Sequence, residues 1–332
     1  MRWSEPVVLA AFAVAALVVS MACTAWAIAY ARRCGMLDQP GERRSHATAT
    51  PRGGGVGIAV ALLLAMCLLG GWVDAGWWPI AGGLLLVAGV GWGDDHRPLP
   101  IALRLGAHAL AGVALAWGLH LQDAGLPAVL AALVLVPVLV NAWNFMDGID
   151  GLATSQALLC AAALASLLGG GWQVLGVALA GACLGFLPFN LPTARIFLGD
   201  VGSGALGYGM AAMLGGAIAT LPAATWPLVL LPPMAMLGDS GLTLCWRVAT
   251  GQRWWEPHVQ HLFQRSSRRW GHRWVTTAYA VWTCVAIGIM LRAHGMRMPG
   301  TLLVAAVMAA AWLAAWTWMH RRSDTTTEGF GT

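Results

Sequence analysis

The chain contains no lysine: all nineteen of its basic residues are arginine, which points to coding bias. Charge of either sign is scarce, with charged residues making up only 10% of 332 positions. An ordinary soluble domain of this length carries about 25%, so that class is excluded. Tyrosine (3) and phenylalanine (7) are also few, and aromatic character rests on nineteen tryptophans. The seven cysteines stand at 23, 34, 67, 160, 183, 245 and 284, mostly inside apolar runs, and none is spaced C-x-x-C. That spacing excludes the usual zinc and disulfide patterns, and the cysteines read as small buried hydrophobes. No repeat of fixed period and no low-complexity segment is present.

What is abundant is apolar sequence. Hydrophobic residues make up 58% of the chain and the mean hydropathy is +0.69. The expected fold class is therefore all-α, a polytopic integral membrane helix bundle in one membrane-embedded domain over 1–332. A spanning helix needs about 20 mostly apolar residues. Eleven segments qualify, near 7–30, 54–71, 79–93, 101–119, 127–145, 151–168, 172–189, 202–220, 224–245, 275–291 and 300–319. The number falls to ten if the last two form a re-entrant pair. With the N-terminus outside and the C-terminus cytoplasmic, sixteen of the nineteen arginines lie on the inner side, as the positive-inside bias requires. Trp72, Trp77 and Trp78 would mark one interface, and Trp254, Trp255 and Trp270 the other. The inner connections then fall near 31–53, 94–100, 146–151, 190–201 and 246–274.

Nearly every unusual polar cluster lands on that arginine-rich side. The centre of the pattern is the stretch from Asn141 to Gly151, where Asn141, Asn144, Asp147 and Asp150 recur every third residue at the end of an apolar run. Such groups are costly in lipid without a job or a partner. Gly148 and Gly151 predict a break in the helix, and broken helices at membrane depth line wet cavities. The first inner loop carries Arg44, His46 and Arg52 before three glycines, 53–55. Glycines there would let backbone amides approach an anion while the basic side chains bind phosphate, the alternative being a flexible basic loop that faces lipid. Asp94 and Asp95 follow an apolar span directly, as a screened carboxylate pair or a solvated helix end. Asp200 sits among glycines, as an N-cap or a hard-cation ligand. The last inner loop holds His258, His261 and Arg265 in a basic, Trp-rich segment that could also lie on anionic headgroups. Asp239 is a further carboxylate inside a span. Several carboxylates on one face, with Arg and His but no Ser-His-Asp, Cys-His or zinc spacing, suggest phosphoryl chemistry through Mg²⁺.

In order, the motifs are D-x-P-x-x-R-x-S-H with P-R-G-G-G, the Asp-Asp pair, N-x-x-N-x-x-D-G-x-D-G, F-x-G-D-x-G-S and the late histidine loop. Together they resemble the polyprenyl-phosphate N-acetylhexosamine-1-phosphate transferases (the WecA/MraY superfamily, glycosyltransferase family 4). The resemblance implies transfer of a sugar 1-phosphate from a UDP-N-acetyl-sugar to undecaprenyl phosphate with release of UMP, using Mg²⁺ or Mn²⁺, at the cytoplasmic face of a bacterial inner membrane. It implies that Asp200 is a metal ligand with Asn144 and Asp147, and that Asp94, Asp95, Asp147 and Asp150 are catalytic. Asn141, Asn144, Phe197, His258, His261 and Arg265 would contact nucleotide and sugar, and Arg44, His46 and Arg52 phosphate. The late loop splits its two histidines by two residues, unlike the peptidoglycan-precursor branch. Gly251-Gln-Arg-Trp-Trp-Glu-Pro-His looks more like the branch that initiates O-antigen, with GlcNAc or a 6-deoxy sugar such as FucNAc or QuiNAc. Membrane lipids are expected neighbours, a homodimer is compatible, and nucleic acid is not an expected partner. A transporter of lipid-linked sugar is the rival from another class, but it predicts polar residues near span centres.

Overall fold

The computed structural model describes residues 5–39, 49–253, 256 and 258–324. Among these, the chain is a bundle of α-helices with one two-residue β-ladder, in which Leu37–Asp38 (β1) pairs antiparallel with Thr50–Pro51 (β2). The helices in the first half are α1 (Pro6–Cys34), α2 (Val56–Trp72), α3 (Trp77–His96), α4 (Ile101–Leu121), α5 (Leu126–Met146) and α6 (Leu152–Leu167). They continue as α7 (Gly170–Asn190), α8 (Gly199–Thr220), α9 (Trp226–Val229), α10 (Met234–Ala249), α11 (Leu262–Trp270), α12 (His272–Ala293) and α13 (Met298–Asp324).

Seven of these helices are long and apolar enough to cross a membrane, and an eighth span results if the α9–α10 pair counts as one. The chain is thus a multi-pass membrane protein. Ten of the eleven apolar segments coincide with single helices, but α2 and α6 are shorter than the seven and α3 is less apolar. The eleventh, expected as one span over 224–245, bends by 72° between α9 and α10. Pro232 and Pro233 stand at the bend, where proline removes amide donors and crowds the preceding turn.

α8 is the centre of the bundle and packs against α3 and α5, with α2, α6 and α7 around it. Every residue from Val201 to Ala217 is buried. Small residues dominate its sequence, which lets neighbouring backbones approach closely. The tightest approach is at Gly55, where an added Cβ would lie 2.1 Å from the Cα of Gly202. One belt expectation needs correction: Trp72 and Trp78 are exposed, but Trp77 is 1% exposed and packs on Trp172 at 4.6 Å between ring centroids. All seven cysteines are free.

Candidate functional site

Four chain segments converge at one end of α8. α3 delivers Asp94 and Asp95 in its last turn, and α5 ends at Met146, so Asp147 caps it and Asp150 follows in the turn before α6. α8 brings Asp200 in its first turn. The loop after β2 closes the group, because its amides pair with the strand-like segment before α8: the N–H of Gly54 donates to the carbonyl of Phe197 (2.9 Å) and that of Gly55 to Leu198 (2.8 Å). The amides of Gly54 and Gly55 are thus spent on backbone partners, and the expectation that they meet an anion does not hold for these two.

Asp95 is the anchor of this arrangement. Its carboxylate accepts the backbone N–H of Asp200 (3.0 Å) and of Val201 (3.1 Å), capping the positive end of α8, and Arg52 Nε lies 3.6 Å from it. Gly199, at φ +74°, makes the contact possible, since a Cβ there would lie 2.6 Å from an Asp95 oxygen. Arg52 also donates to the main-chain carbonyls of Asp94 (3.0 Å) and Asp95 (2.9 Å), so its Nε and Nη2 hold the end of α3.

Asp94 and Asp200 are placed differently. Their carboxyl groups are neighbours around one arginine, and two like charges so placed call for a proton or a cation between them. Arg104 of α4 partly supplies one, with Nη1 2.9 Å from Asp94 and 3.9 Å from Asp200. Leu99 N–H also donates to Asp94. Asn144 donates to Asp200 (2.5 Å) and to Ser203 Oγ (3.2 Å). Asp147 adds a third carboxyl: burial first, then the charges of Asp200, Asp95 and Asp150, push it well above the usual carboxylate range. A group held that way gains most from a cation nearby.

Beside this group opens a cavity of about 300 Å³, lined by Arg52, Asp95, Asp147, Asp150, Phe197 and Asp200, and on its α11 side by Gln264, Ser267 and Arg268. Asp150 is fixed at its far wall by His272 (3.4 Å) and by the N–H of Ala194 (3.3 Å). A smaller hollow beside it is lined by Arg104, His108, Asn141, Asn144 and Asp200. Asn141 points there, to His108 (3.3 Å) and to the Pro137 carbonyl (2.7 Å), and not into the main cavity.

The remaining candidates separate. His261 stacks on Phe145, His258 is tilted against His261, and neither lines the main cavity. Burial, with His261 and Arg247 nearby, pushes His258 down to about 4, so it is neutral near pH 7. Arg265 turns away to His320 of α13 (2.7 Å), and Arg268 takes the place on the cavity wall that the sequence reading assigned to it. Arg44 and His46 lie outside the described residues. Arg104, Asn190, Arg268 and His272 were missed. Arg104 and His108 carry a usable signal, since two basic positions four apart inside an apolar helix share one face. Asn190 joins the Gly151 N–H (2.7 Å) to the Ile196 carbonyl (3.0 Å), which no local pattern reveals.

Among the described residues no group of three or more His, Cys, Asp or Glu side chains is placed to hold a metal ion. Mg²⁺ takes only one or two carboxylates and completes its shell with phosphate oxygens and water. Asp94 and Asp200, which share Arg104, are a pair of hard oxygen donors whose mutual repulsion such an ion would relieve.

Fold and site together define a multi-pass membrane protein with a carboxylate-rich, arginine-flanked cavity at one end of its bundle. The model of glycosyl transferase family 4 matches residues 77–217, the region from α3 to α8 that supplies Asp94, Asp147 and Asp200. The chain is 30% identical over 246 residues to a phospho-N-acetylmuramoyl-pentapeptide-transferase of Neisseria meningitidis, covering 59% of this chain and 68% of that protein. It is 35% identical over 246 residues to a decaprenyl-phosphate N-acetylglucosaminephosphotransferase of Mycolicibacterium smegmatis, covering 64% of this chain and 60% of the relative. A protein of the same name from Mycobacterium tuberculosis is 36% identical over 218 residues, 55% of this chain and 54% of the relative. The chain belongs to glycosyl transferase family 4. Its matches span between half and two thirds of the length of these mycobacterial relatives.

Proposed function

We propose that the protein transfers an N-acetylhexosamine 1-phosphate from a UDP-sugar to a polyprenyl phosphate, at the cytoplasmic face of a bacterial inner membrane. The relatives' names support a phosphosugar donor and a polyprenyl-phosphate acceptor. The observation that carries the reading is the pair Asp94 and Asp200, brought together around Arg104, with Asp200 on the wall of the cavity that Asp147 also lines.

In this reading an oxygen of the acceptor phosphate attacks the β-phosphorus of the donor, a new P–O bond forms, and the bond to the bridging oxygen breaks with its electron pair leaving on UMP. No general base is required, since the acceptor phosphate is largely ionised at neutral pH. Asp200, Asp94, Asn144 and Asp147 would hold Mg²⁺, which when bound screens the diphosphate and stabilises the leaving charge. Arg104 in the smaller hollow and Arg268 in the larger cavity would neutralise phosphoryl oxygens, while Phe197 offers a ring for the uracil. Asp95 and Asp150 position these groups by holding α8 and the α5–α6 turn. Positioning and charge screening then supply most of the rate.

The sugar is proposed as GlcNAc or a 6-deoxy N-acetyl sugar, and the product as the first lipid-linked intermediate of an O-antigen or similar envelope polysaccharide. UMP release from a panel of UDP-N-acetyl sugars, in membranes with undecaprenyl phosphate and with or without Mg²⁺, tests the reading. Release that needs both acceptor and Mg²⁺ is the expected result. No release with any UDP-sugar would sink it, and a phosphorylated aspartate trapped without acceptor would replace direct displacement by a covalent route.

A further inference from the structure

α11 has two working faces. Gln264, Ser267 and Arg268, spaced i, i+3, i+4, line the polar cavity. Ser266, Arg269 and Trp270 share the same spacing on another face and open onto a separate hollow of about 540 Å³, walled also by Trp274 and Tyr279 of α12 and Met319 of α13. Those walls are mostly apolar or aromatic, and among the lining residues Arg269 carries the only charge. Its guanidinium lies over the Trp270 ring at 5.7 Å. Trp270 is 49% exposed and Trp274 73% exposed, and Arg273 beside them is exposed as well. Apolar walls, tryptophans at the rim and arginines with no carboxylate against them among the described residues together match one kind of occupant, an amphiphile with a negative head. A zwitterionic head would bring its own cation against this arginine cluster.

We propose that the hollow between α11 and α12 binds an anionic phospholipid of the surrounding membrane, with its phosphate paired to Arg269 and an acyl chain laid along Trp274, Tyr279 and Met319. The site is connected to the polar cavity. The Tyr279 hydroxyl donates to Asp239 (2.7 Å), and Asp239 in turn accepts the backbone N–H of Leu262 (2.8 Å) and Phe263 (3.0 Å) at the start of α11. An occupied hollow therefore steadies the helix whose other face carries Arg268 to the cavity. Regulation by lipid in this sense rests on the transferase reading, whereas the binding itself does not.

The test uses the full chain in nanodiscs of phosphatidylcholine containing a trace of phosphatidylglycerol with a photoactivatable diazirine on an acyl chain, followed by peptide mapping. Labelling within 262–279 and on the α13 peptide containing Met319 is expected, falling at least fivefold in Arg269→Gln and in Trp274→Ala. Both side chains are exposed, so folding is preserved. Unlabelled phosphatidylglycerol should compete and phosphatidylcholine should not. Equal labelling by diazirine phosphatidylcholine, or undiminished labelling in both variants, overturns the proposal. So does displacement by undecaprenyl phosphate, which would assign the hollow to the acceptor. UMP release should be two- to fivefold higher in phosphatidylglycerol discs for the unaltered protein, and lipid-insensitive in Arg269→Gln. An inactive protein that still labels counts against the transferase reading alone, and an active one that does not label against this proposal alone.

Discussion

Asp95 and Asp239 on one hand, and Asp94, Asp147 and Asp200 on the other, are all carboxylates at or near membrane depth, yet they are solvated in opposite ways. Asp95 and Asp239 each accept two backbone N–H groups from the first turn of a following helix, α8 and α11. Asp239 adds the hydroxyls of Thr243 (3.3 Å) and Tyr279 (2.7 Å) and is fully buried. Such a shell replaces water, and each charge-assisted bond contributes about 1.5–3 kcal/mol. Asp94 and Asp200 instead share one arginine, and Asp147 is surrounded by like charge. A saturated carboxylate is architecture. A cluster left short of positive charge is chemistry in waiting.

That contrast can be broken by substitution. The largest effect is expected for Asp200→Asn: Mg²⁺-dependent UMP release should fall by about 10³-fold, the upper end for removing one charge-stabilising group, with an unchanged or higher thermal midpoint because like-charge repulsion is relieved. Near-full activity in that variant would move Asp200 to the architectural class. Asp147→Asn should behave alike, with a loss of about 10²-fold. The opposite signature is expected for Asp239→Ala, in which each orphaned buried donor costs about 1–3 kcal/mol. Thermal unfolding in detergent should show a large drop in midpoint, and an unaltered melt would show that α11 is held by other contacts. Tyr279→Phe removes a single donor to the same carboxylate and should cost about 1 kcal/mol, a shift that calorimetry resolves. The smallest effect is electrostatic. His258 is held at about 4, below its ordinary 6.5, so the unfolded chain binds the proton more readily than the folded one. Its contribution to stability is intact above the ordinary value and is lost as pH falls through that window. The midpoint should therefore decline more steeply between pH 6.5 and 4.5 in the unaltered protein than in His258→Gln.

Much of this was legible beforehand, because lipid is an unforgiving solvent. Apolar runs of spanning length marked the helices, and Asp94, Asp147, Asp150 and Asp200 stood out as charges that needed a reason. The break after Met146 followed from the glycines around Asp147 and Asp150. Other features were hidden. His272 joins Asp150 from α12, across more than a hundred residues, so nothing adjacent in the chain announces it. The glycines at 53–55 invited a phosphate-cradle reading, but the amides of Gly54 and Gly55 are consumed by Phe197 and Leu198, partners fixed only when α8 docks. α11 was invisible as a helix because its apolar residues are too few to stand out in a basic loop, and its N-terminus depends on Asp239.

The sequence by itself determined that this protein lives in a membrane, that its carboxylates gather toward one end of the helices, and that their order matches the motifs of one transferase superfamily. These follow from periodicity and from the cost of charge in hydrocarbon, which act locally along the chain. Only the tertiary structure decided which carboxylates are capped and which confront one another, and that Arg268 rather than Arg265 reaches the cavity. Those distinctions depend on who stands opposite a side chain, and partners more than fifty residues apart are chosen by helix packing alone.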